Sequence, residues 1–555
     1  MLRHNPHTLG QCSYSESMEI LENYNILREE AIREGIQVAP RELFYVAADG
    51  HDAKNHVFGT GAVARKIPKN TQQQSRRAST SNISDIENNE VVNLRKELLE
   101  FKAMVEERDN NIVEELKRLR GHHGFQVYAE DYDYSFYNES NNTQTEIWGD
   151  SISIKEFTPE QWTAHQVKSI EKVRKSKVSF QIVDSQGNPL PNATVTVASG
   201  RPNFPLGCAI NSNILNNNAY QAWFFSRFKY TVFENEMKWY STEPSQGRED
   251  YSVSDAMLQL VQNRGVTLRG HNVFWDDPKL LPYWVPNLTP SQLSAAASDR
   301  INSFVKRYAG QVIHWDVVNE NLHHHFFEEK LGPGASADYY KLTSVLDGKA
   351  TPFLNDYNTI EHQEDSYSTP SKYLDKIADL RAHGYNGPLG IGLEAHFGVP
   401  DLAYVRSAID TLASTNLPIW ITELDVSPRA NQGILLEQIL NELVSHPAVQ
   451  GIVIWSAWKP DGCYKMCLTD NNFKNLPTGD VVDGVLKRMS GQGLGGTTTA
   501  GGYFETSLFH GDYQVMVEHP SLETPTVNPL AVTPPIAGAG EETQSVINFK
   551  VSLPV

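Results

Sequence analysis

The chain has 555 residues and a net charge of -19, from 48 Lys+Arg against 67 Asp+Glu. It is long enough for roughly two to four domains, and its surface repels nucleic acid and anionic membrane. No apolar run approaches the roughly 20 residues that cross a bilayer, and the opening Met1-Leu-Arg-His-Asn-Pro-His-Thr-Leu-Gly lacks the apolar core of a signal peptide.

Residues 1–130 form an atypical extension. Over 61–80, five basic residues, no acidic ones and a Gln72-Gln-Gln-Ser-Arg-Arg tract predict a disordered linker, in preference to a nuclear-localisation or nucleic-acid patch. Over 93–120, Leu94, Leu98, Phe101, Val105, Ile112, Leu116 and Leu119 recur at spacings that predict a helix with a narrow apolar seam. Such a helix suits either self-association as a short coiled coil or a berth on a neighbouring domain.

Strand-like runs follow at 143–148 and 151–154, then a helix over 158–174 with Thr158 as N-cap, Pro159 at the first helical position and Gln161 at the capping-box position. Two alternating strands, 178–183 and 193–197, flank a Gln186-Gly187-Asn188 turn. The same style resumes over 497–519 and closes the chain at 548–553. Neither flank has enough strands to bury its own apolar face, so residues 176–204 and 493–555 are expected to form one discontinuous β-sandwich.

Between the flanks, eight buried-strand candidates alternate with helical stretches: 206–210, 230–233, 266–270, 312–318, 353–354, 389–393, 418–422 and 451–455. That number and spacing predict an α/β fold, a (β/α)8 TIM barrel over residues 205–490. In such a barrel the chemistry sits where strands end. The residues at the ends are Glu234, His271, Asn319 with Glu320, Asn355, Glu394 with His396, Glu423 and Trp455. Glu, Asn, His and Trp in that pattern suit a polar cleft that binds sugar.

Cleaving a glycosidic bond needs a protonated acid on the leaving oxygen and a second carboxylate beneath the anomeric carbon. Glu320 and Glu423, on different strands of one rim, are the candidates. Asn319 beside Glu320 is placed to hydrogen-bond a sugar hydroxyl. Glu423 and Asp425 are two apart, hence on one face of an extended segment, where His396 can bridge them and keep the nucleophile ionised. Three consecutive histidines, His323 to His325, do not share one face and read as a solvated loop.

Glu234-Asn-Glu-Met-Lys-Trp, Arg269-Gly-His, Trp315-Asp-Val-Val-Asn-Glu and Ile421-Thr-Glu-Leu-Asp, in that order, resemble glycoside hydrolase family 10, the endo-1,4-β-xylanases. The run Asn272-Val-Phe-Trp-Asp-Asp-Pro and the stretch 462–480 are similar to plant members. The resemblance implies a retaining double displacement on xylan and xylo-oligosaccharides, with no cofactor and no metal. It makes Glu320 the acid/base and Glu423 the nucleophile, oriented by His396 and Asp425. Glu234, Asn235, Lys238, His271, Trp275, Asn319, Asn355, Tyr357, Glu394, Trp455 and Tyr464 become the sugar-binding set. Retention requires the two carboxyl groups to stand about 5 to 5.5 Å apart. Transglycosylation is a further outcome when an acceptor sugar replaces water; a xylan-binding protein without turnover is the alternative reading.

Departures from the family pattern are Glu394 where microbial members commonly carry Gln, Asp276 where they carry His, and the loop Asp461-Gly-Cys-Tyr in place of a second Trp. Of the cysteines Cys12, Cys208, Cys463 and Cys467, only the last two are close enough in sequence for a local bridge or a metal pair. In an exported protein Cys463 and Cys467 would form a disulfide, and no second Cys or His pair stands at zinc spacing. Family members are extracellular or in the cell wall, and sequons at Asn138, Asn141, Asn192 and Asn287 fit an exported ancestry. Residues 131–157 resemble only the last strands of a family 22 carbohydrate-binding module. The expectation is that an unrelated fusion or a mis-joined gene model stands in place of the signal and the rest of that module.

Overall fold

The computed structural model describes residues 43–48, 152–534 and 546–553. The helix expected over 93–120, the strand over 143–148, and the sequons at Asn138 and Asn141 lie outside them. The chain divides into two compact units, residues 1–160 and 161–555. In the first, Ile152–Phe157 pairs antiparallel with Leu43–Ala48.

The second unit contains the barrel. Its strands are β1 (Leu206–Cys208), β2 (Tyr230–Val232), β3 (Thr267–Arg269), β4 (His314–Asp316), β5 (Thr351–Asp356), β6 (Gly390–Leu393), β7 (Ile419–Val426) and β8 (Val449–Ile454). Parallel ladders join β2 to β3 and run unbroken from β4 through β5, β6, β7 and β8 to β1. Single parallel bridges, Ile210 with Phe233 and Gly270 with Trp315, supply the two remaining seams and close the ring. Every residue of β7 is buried, as expected of a strand covered by helices outside and by the packed barrel inside. The interior holds Val232, Phe353, Trp420 and Val453. A buried Arg269–Asp316 ion pair lies nearby, with Arg269 Nη2 2.7 Å from Asp316 Oδ1.

Three strands differ from expectation, and of these β7 runs on past Thr422 to Val426, so that Glu423 and Asp425 lie within it. The run 312–318 is not one strand: β4 stops at Asp316, and Val318–Asn319 turns to pair with Phe274–Trp275 from the loop after β3. The turn sets Asn319 and Glu320 over the barrel mouth. The short candidate 353–354 is the centre of the longer β5, whose polar ends, Thr351 and Asn355–Asp356, hid its length.

The flanking strands make two sheets. Gly495–Thr497, Thr194–Pro202, Gly511–Glu518 and Thr526–Val532 form one; Tyr503–Phe509, Lys175–Val183 and Val546–Ser552 form the other. They share a core of Phe180, Val195, Tyr513, Val515 and Val517. The fold is therefore a TIM barrel with a small discontinuous β-sandwich.

The helix Pro159–Arg174 is fastened to the barrel's outer layer. Buried Glu442 accepts from Trp162 Nε1 at 2.8 Å, Gln166 Nε2 at 2.7 Å and Arg406 Nε at 2.6 Å. The Arg174 guanidinium donates to the carbonyls of Val444, His446 and Val449 where the helix Gln432–Ser445 ends.

Candidate active site

The carboxyl ends of the barrel strands converge on Asn355, the side chain at the centre of the rim. Its Nδ2 lies 2.9 Å from Asn319 Oδ1, 3.2 Å from Glu394 Oε1 and 3.3 Å from Glu423 Oε1, while its Oδ1 accepts from Thr422 Oγ1 at 2.6 Å. A Cβ at Gly392 would stand 2.3 Å from Asn355 Oδ1, so glycine there makes room for the amide.

Glu320 follows β4 with φ 59°, a left-handed conformation disfavoured outside glycine, and its N–H donates to Asn355 O at 2.9 Å. Ala395, after β6, has φ 74°. There the buried Glu361 carboxylate accepts from the N–H groups of Ala395 (2.9 Å) and His396 (3.0 Å), fixing the loop that carries Glu394 and His396.

His396 faces acids on both sides. Its Nδ1 lies 3.0 Å from Asp425 Oδ1, and its Nε2 lies 3.6 Å from both Glu394 Oε2 and Glu423 Oε2. Opposite, His271 Nδ1 meets Asp316 Oδ2 at 2.9 Å, leaving Nε2 3.9 Å from Glu423 Oε1. Trp455 stands edge-on to both imidazoles, with ring centroids 5.7 Å from His271 and 6.4 Å from His396. Lys238 Nζ sits 4.2 Å above the Trp275 ring and 3.4 Å from Asn235 Oδ1. Glu234 accepts from Asn211 Nδ2 at 3.1 Å and pairs with Lys459 Nζ at 2.6 Å.

The two expected catalytic carboxyls are driven apart in acidity. Burial, with Asp356 and Glu423 adding repulsion, pushes Glu320 up to about 8. Burial alone would raise Glu423 too, but His271, His396 and Lys238 outweigh it and hold that carboxyl below its ordinary value. Burial and the charges of Glu423 and Glu320 push Glu394 well up. Burial opposes a proton on His396, yet Asp425, Glu394 and Glu423 hold it well above the usual imidazole range.

Asn319, Asn355, Glu394, His396, Glu423, Asp425, His271 and Trp455 therefore form one contact network. Glu320 joins it through its backbone N–H, and Lys238, with Asn235 and Trp275, through the Trp455 ring at 5.7 Å. Glu234 is held beside the network by Asn211 and Lys459. Tyr357 lies at its edge, where burial and the charge of Glu320 raise its phenol. Tyr464 is 66% exposed, with its ring 5.3 Å from His396, on the loop closed by a Cys463–Cys467 disulfide.

The reading of His323 as solvated is corrected. Its ring is nearly buried, stacked on Tyr357 at 3.8 Å and 7°, with Nδ1 2.6 Å from Asp356 Oδ1 and Nε2 3.1 Å from Asp365 Oδ2. The chain folds back after Glu320, and Asp356 also accepts from Leu322 N at 2.7 Å, drawing the segment onto β5.

Asp316, Asp356, Glu361 and Arg300 also escaped the sequence reading. Arg300 is buried and donates to the carbonyls of Met237 (2.7 Å) and Asn272 (3.3 Å), tying the loops after β2 and β3 together. The available signal was a charged residue inside an apolar run, as in Trp315-Asp316-Val317.

The sequence pattern of glycosyl hydrolase family 10 matches residues 196–478, just over half of the chain. Endo-1,4-beta-xylanase 5 of Arabidopsis thaliana is 42% identical over 391 residues, 69% of this chain and 69% of that protein. Endo-1,4-beta-xylanase 4 of the same plant is 36% identical over 430 residues, 74% and 75% of the two. The crystal structure of xylanase 10B from Thermotoga petrophila RKU-1 in complex with xylobiose covers 51% of this chain and 94% of that one, at 23% identity and a TM-score of 0.46. With a family pattern spanning the barrel strands and a relative matched at this identity over more than two thirds of its length, the chain belongs to glycosyl hydrolase family 10.

Proposed function

We propose that the protein is an endo-1,4-β-xylanase acting on xylan and xylo-oligosaccharides by retaining double displacement. The observation that carries this reading is that Glu423, between His271 and His396, and Glu320 both meet Asn355 at the strand ends of a family 10 barrel, in surroundings that favour a proton on Glu320 and charge on Glu423. In the first step the Glu423 carboxylate bonds to the anomeric carbon, the glycosidic C–O bond breaks, and Glu320 gives its proton to the leaving oxygen. In the second, Glu320 takes a proton from water, the water oxygen bonds to the anomeric carbon, and the ester to Glu423 breaks. A sugar hydroxyl in place of that water gives transglycosylation.

His396, held by Asp425, keeps Glu423 ionised and oriented. Asn319 and His271 face the sugar at the reacting carbon, with Trp455 beneath it. Glu234, Asn235, Lys238 and Trp275 hold the glycone side, while Glu394, Tyr357 and Tyr464 complete the sugar-binding set. Export is part of the same reading: the Cys463–Cys467 disulfide suits an oxidising compartment, and Asn192 and Asn287 are exposed sequons. Residues 205–490 are the catalytic barrel, flanked by the sandwich of 176–204 and 493–555. By resemblance alone, 131–157 is a remnant of a family 22 module. Sequencing the 5′ end of the transcript tests that; a continuous message from Met1 through Phe157 removes the mis-joined alternative.

The direct test offers the protein xylan, glucan and mannan. Reducing sugar should appear from xylan, and Glu423→Ala should lower the rate by at least about 10⁴-fold. Binding to xylan without sugar release would instead identify an inert binder.

A further inference from the structure

Three donor atoms in the pocket are arranged as a metal site is arranged. Glu394, His396 and Glu423 each offer one donor atom, and the three lie within 4.8 Å of one another. The imidazole nitrogen stands 3.6 Å from each carboxylate oxygen. That is too long for a hydrogen bond, and close to the roughly 3.4 Å between neighbouring ligands of a tetrahedral zinc bonded at about 2.1 Å.

The atoms behind the donors are held too. His396 Nδ1 is engaged by Asp425 at 3.0 Å, the carboxylate–histidine pairing that fixes a ligating imidazole with Nε2 forward. Glu394 Oε1 and Glu423 Oε1 both accept from Asn355 Nδ2, which leaves the Oε2 atoms toward His396. The two glutamates are almost wholly buried and His396 is half-buried, so the ligands need little ordering on binding. Buried Lys238 opposes a cation here; the ionised Glu423 carboxylate beside it offsets that repulsion.

We propose that Glu394, His396 and Glu423 form a binding site for a divalent transition ion of the zinc class, filled in competition with the sugar. Imidazole nitrogen and carboxylate oxygen are both zinc donors, three of them leave a fourth position for water, and the imidazole selects against calcium and magnesium. An ion bound to the Glu423 carboxylate ties up the group proposed to attack the anomeric carbon, so zinc acts as a reversible inhibitor. The ion displaces to solvent the protons that His396 and Glu394 otherwise hold. Glu394 is the residue that makes the site: a glutamine there would present a neutral, weaker ligand.

Calorimetric titration of the full chain with zinc chloride tests the proposal by reading the ion itself, so it stands whether or not xylan is the substrate. The expected result is one zinc per chain, removed by a chelator, with affinity lowered about 10- to 100-fold or more in Glu394→Gln. His325→Asn, in the other histidine cluster, should leave zinc binding unchanged. Absence of saturable binding below about 1 mM, or equal affinity in wild type and Glu394→Gln, overturns it.

Discussion

Glu320 and Glu423 are the same residue type in the same pocket, and their neighbours divide the work between them. Glu320 has Asp356 and Glu423 as its near charges, so its proton is retained up to about 8. Glu423 has imidazoles on two sides and Lys238 close by, so it ionises early. Activity that needs a protonated Glu320 should fall as pH rises through about 8. The acid limb, set by Glu423, should lie below the ordinary carboxylate range. A profile of kcat/KM against pH reads both limbs. Glu320→Gln should slow xylan cleavage by about 10² to 10⁴-fold. It should spare the first step on an aryl xyloside whose leaving group needs no proton, which a burst of released phenol would report.

His323 offers a stability test. Burial opposes its charge, but Asp356 and Asp365 outweigh this and raise it to about 9, above the ordinary value of about 6.5. A raised imidazole contributes stability that is fully present below the unfolded value and is lost as pH rises through the folded one. Replacing His323 by Gln should therefore destabilise the protein most below pH 6.5 and least above about pH 9, in denaturant midpoints taken across that range. These residues were unequally legible. Glu320 and Glu423 announce themselves by standing at the ends of apolar runs. His323 does not, because its partners Asp356 and Asp365 are brought to it only when β5 and its following loop fold beneath it.

At the scale of elements, strand number and order were legible because buried strands keep their apolar runs, whereas strand limits were not. The split after Asp316 depends on Phe274–Trp275 arriving from the loop after β3, a tertiary event with no local signature. The helix Pro159–Arg174 was legible from its capping residues, but its attachment was not. Trp162 is 2% exposed and, with Gln166 and Arg406, satisfies the Glu442 carboxylate, which has no exposure. Trp162→Ala should cost about 3 kcal/mol or more, from the cavity and the lost donor together, measured as a shift in the urea midpoint at unchanged m. No change would mean that the helix is a passenger on the barrel.

For the whole molecule, the excess of 67 acidic over 48 basic side chains predicts how it meets acidic xylans. Raising ionic strength from about 0.01 M to 0.1 M shortens the screening length from about 30 to about 10 Å. It should raise kcat/KM on glucuronic-acid-bearing xylan and leave neutral xylohexaose unaffected. The central claim concerns the paired carboxyls at the mouth of the barrel, which retention requires to stand about 5 to 5.5 Å apart. Its most direct test is proton NMR of xylohexaose during cleavage, before the released sugar mutarotates. The account predicts that the β-anomer appears first; the α-anomer appearing first would contradict it.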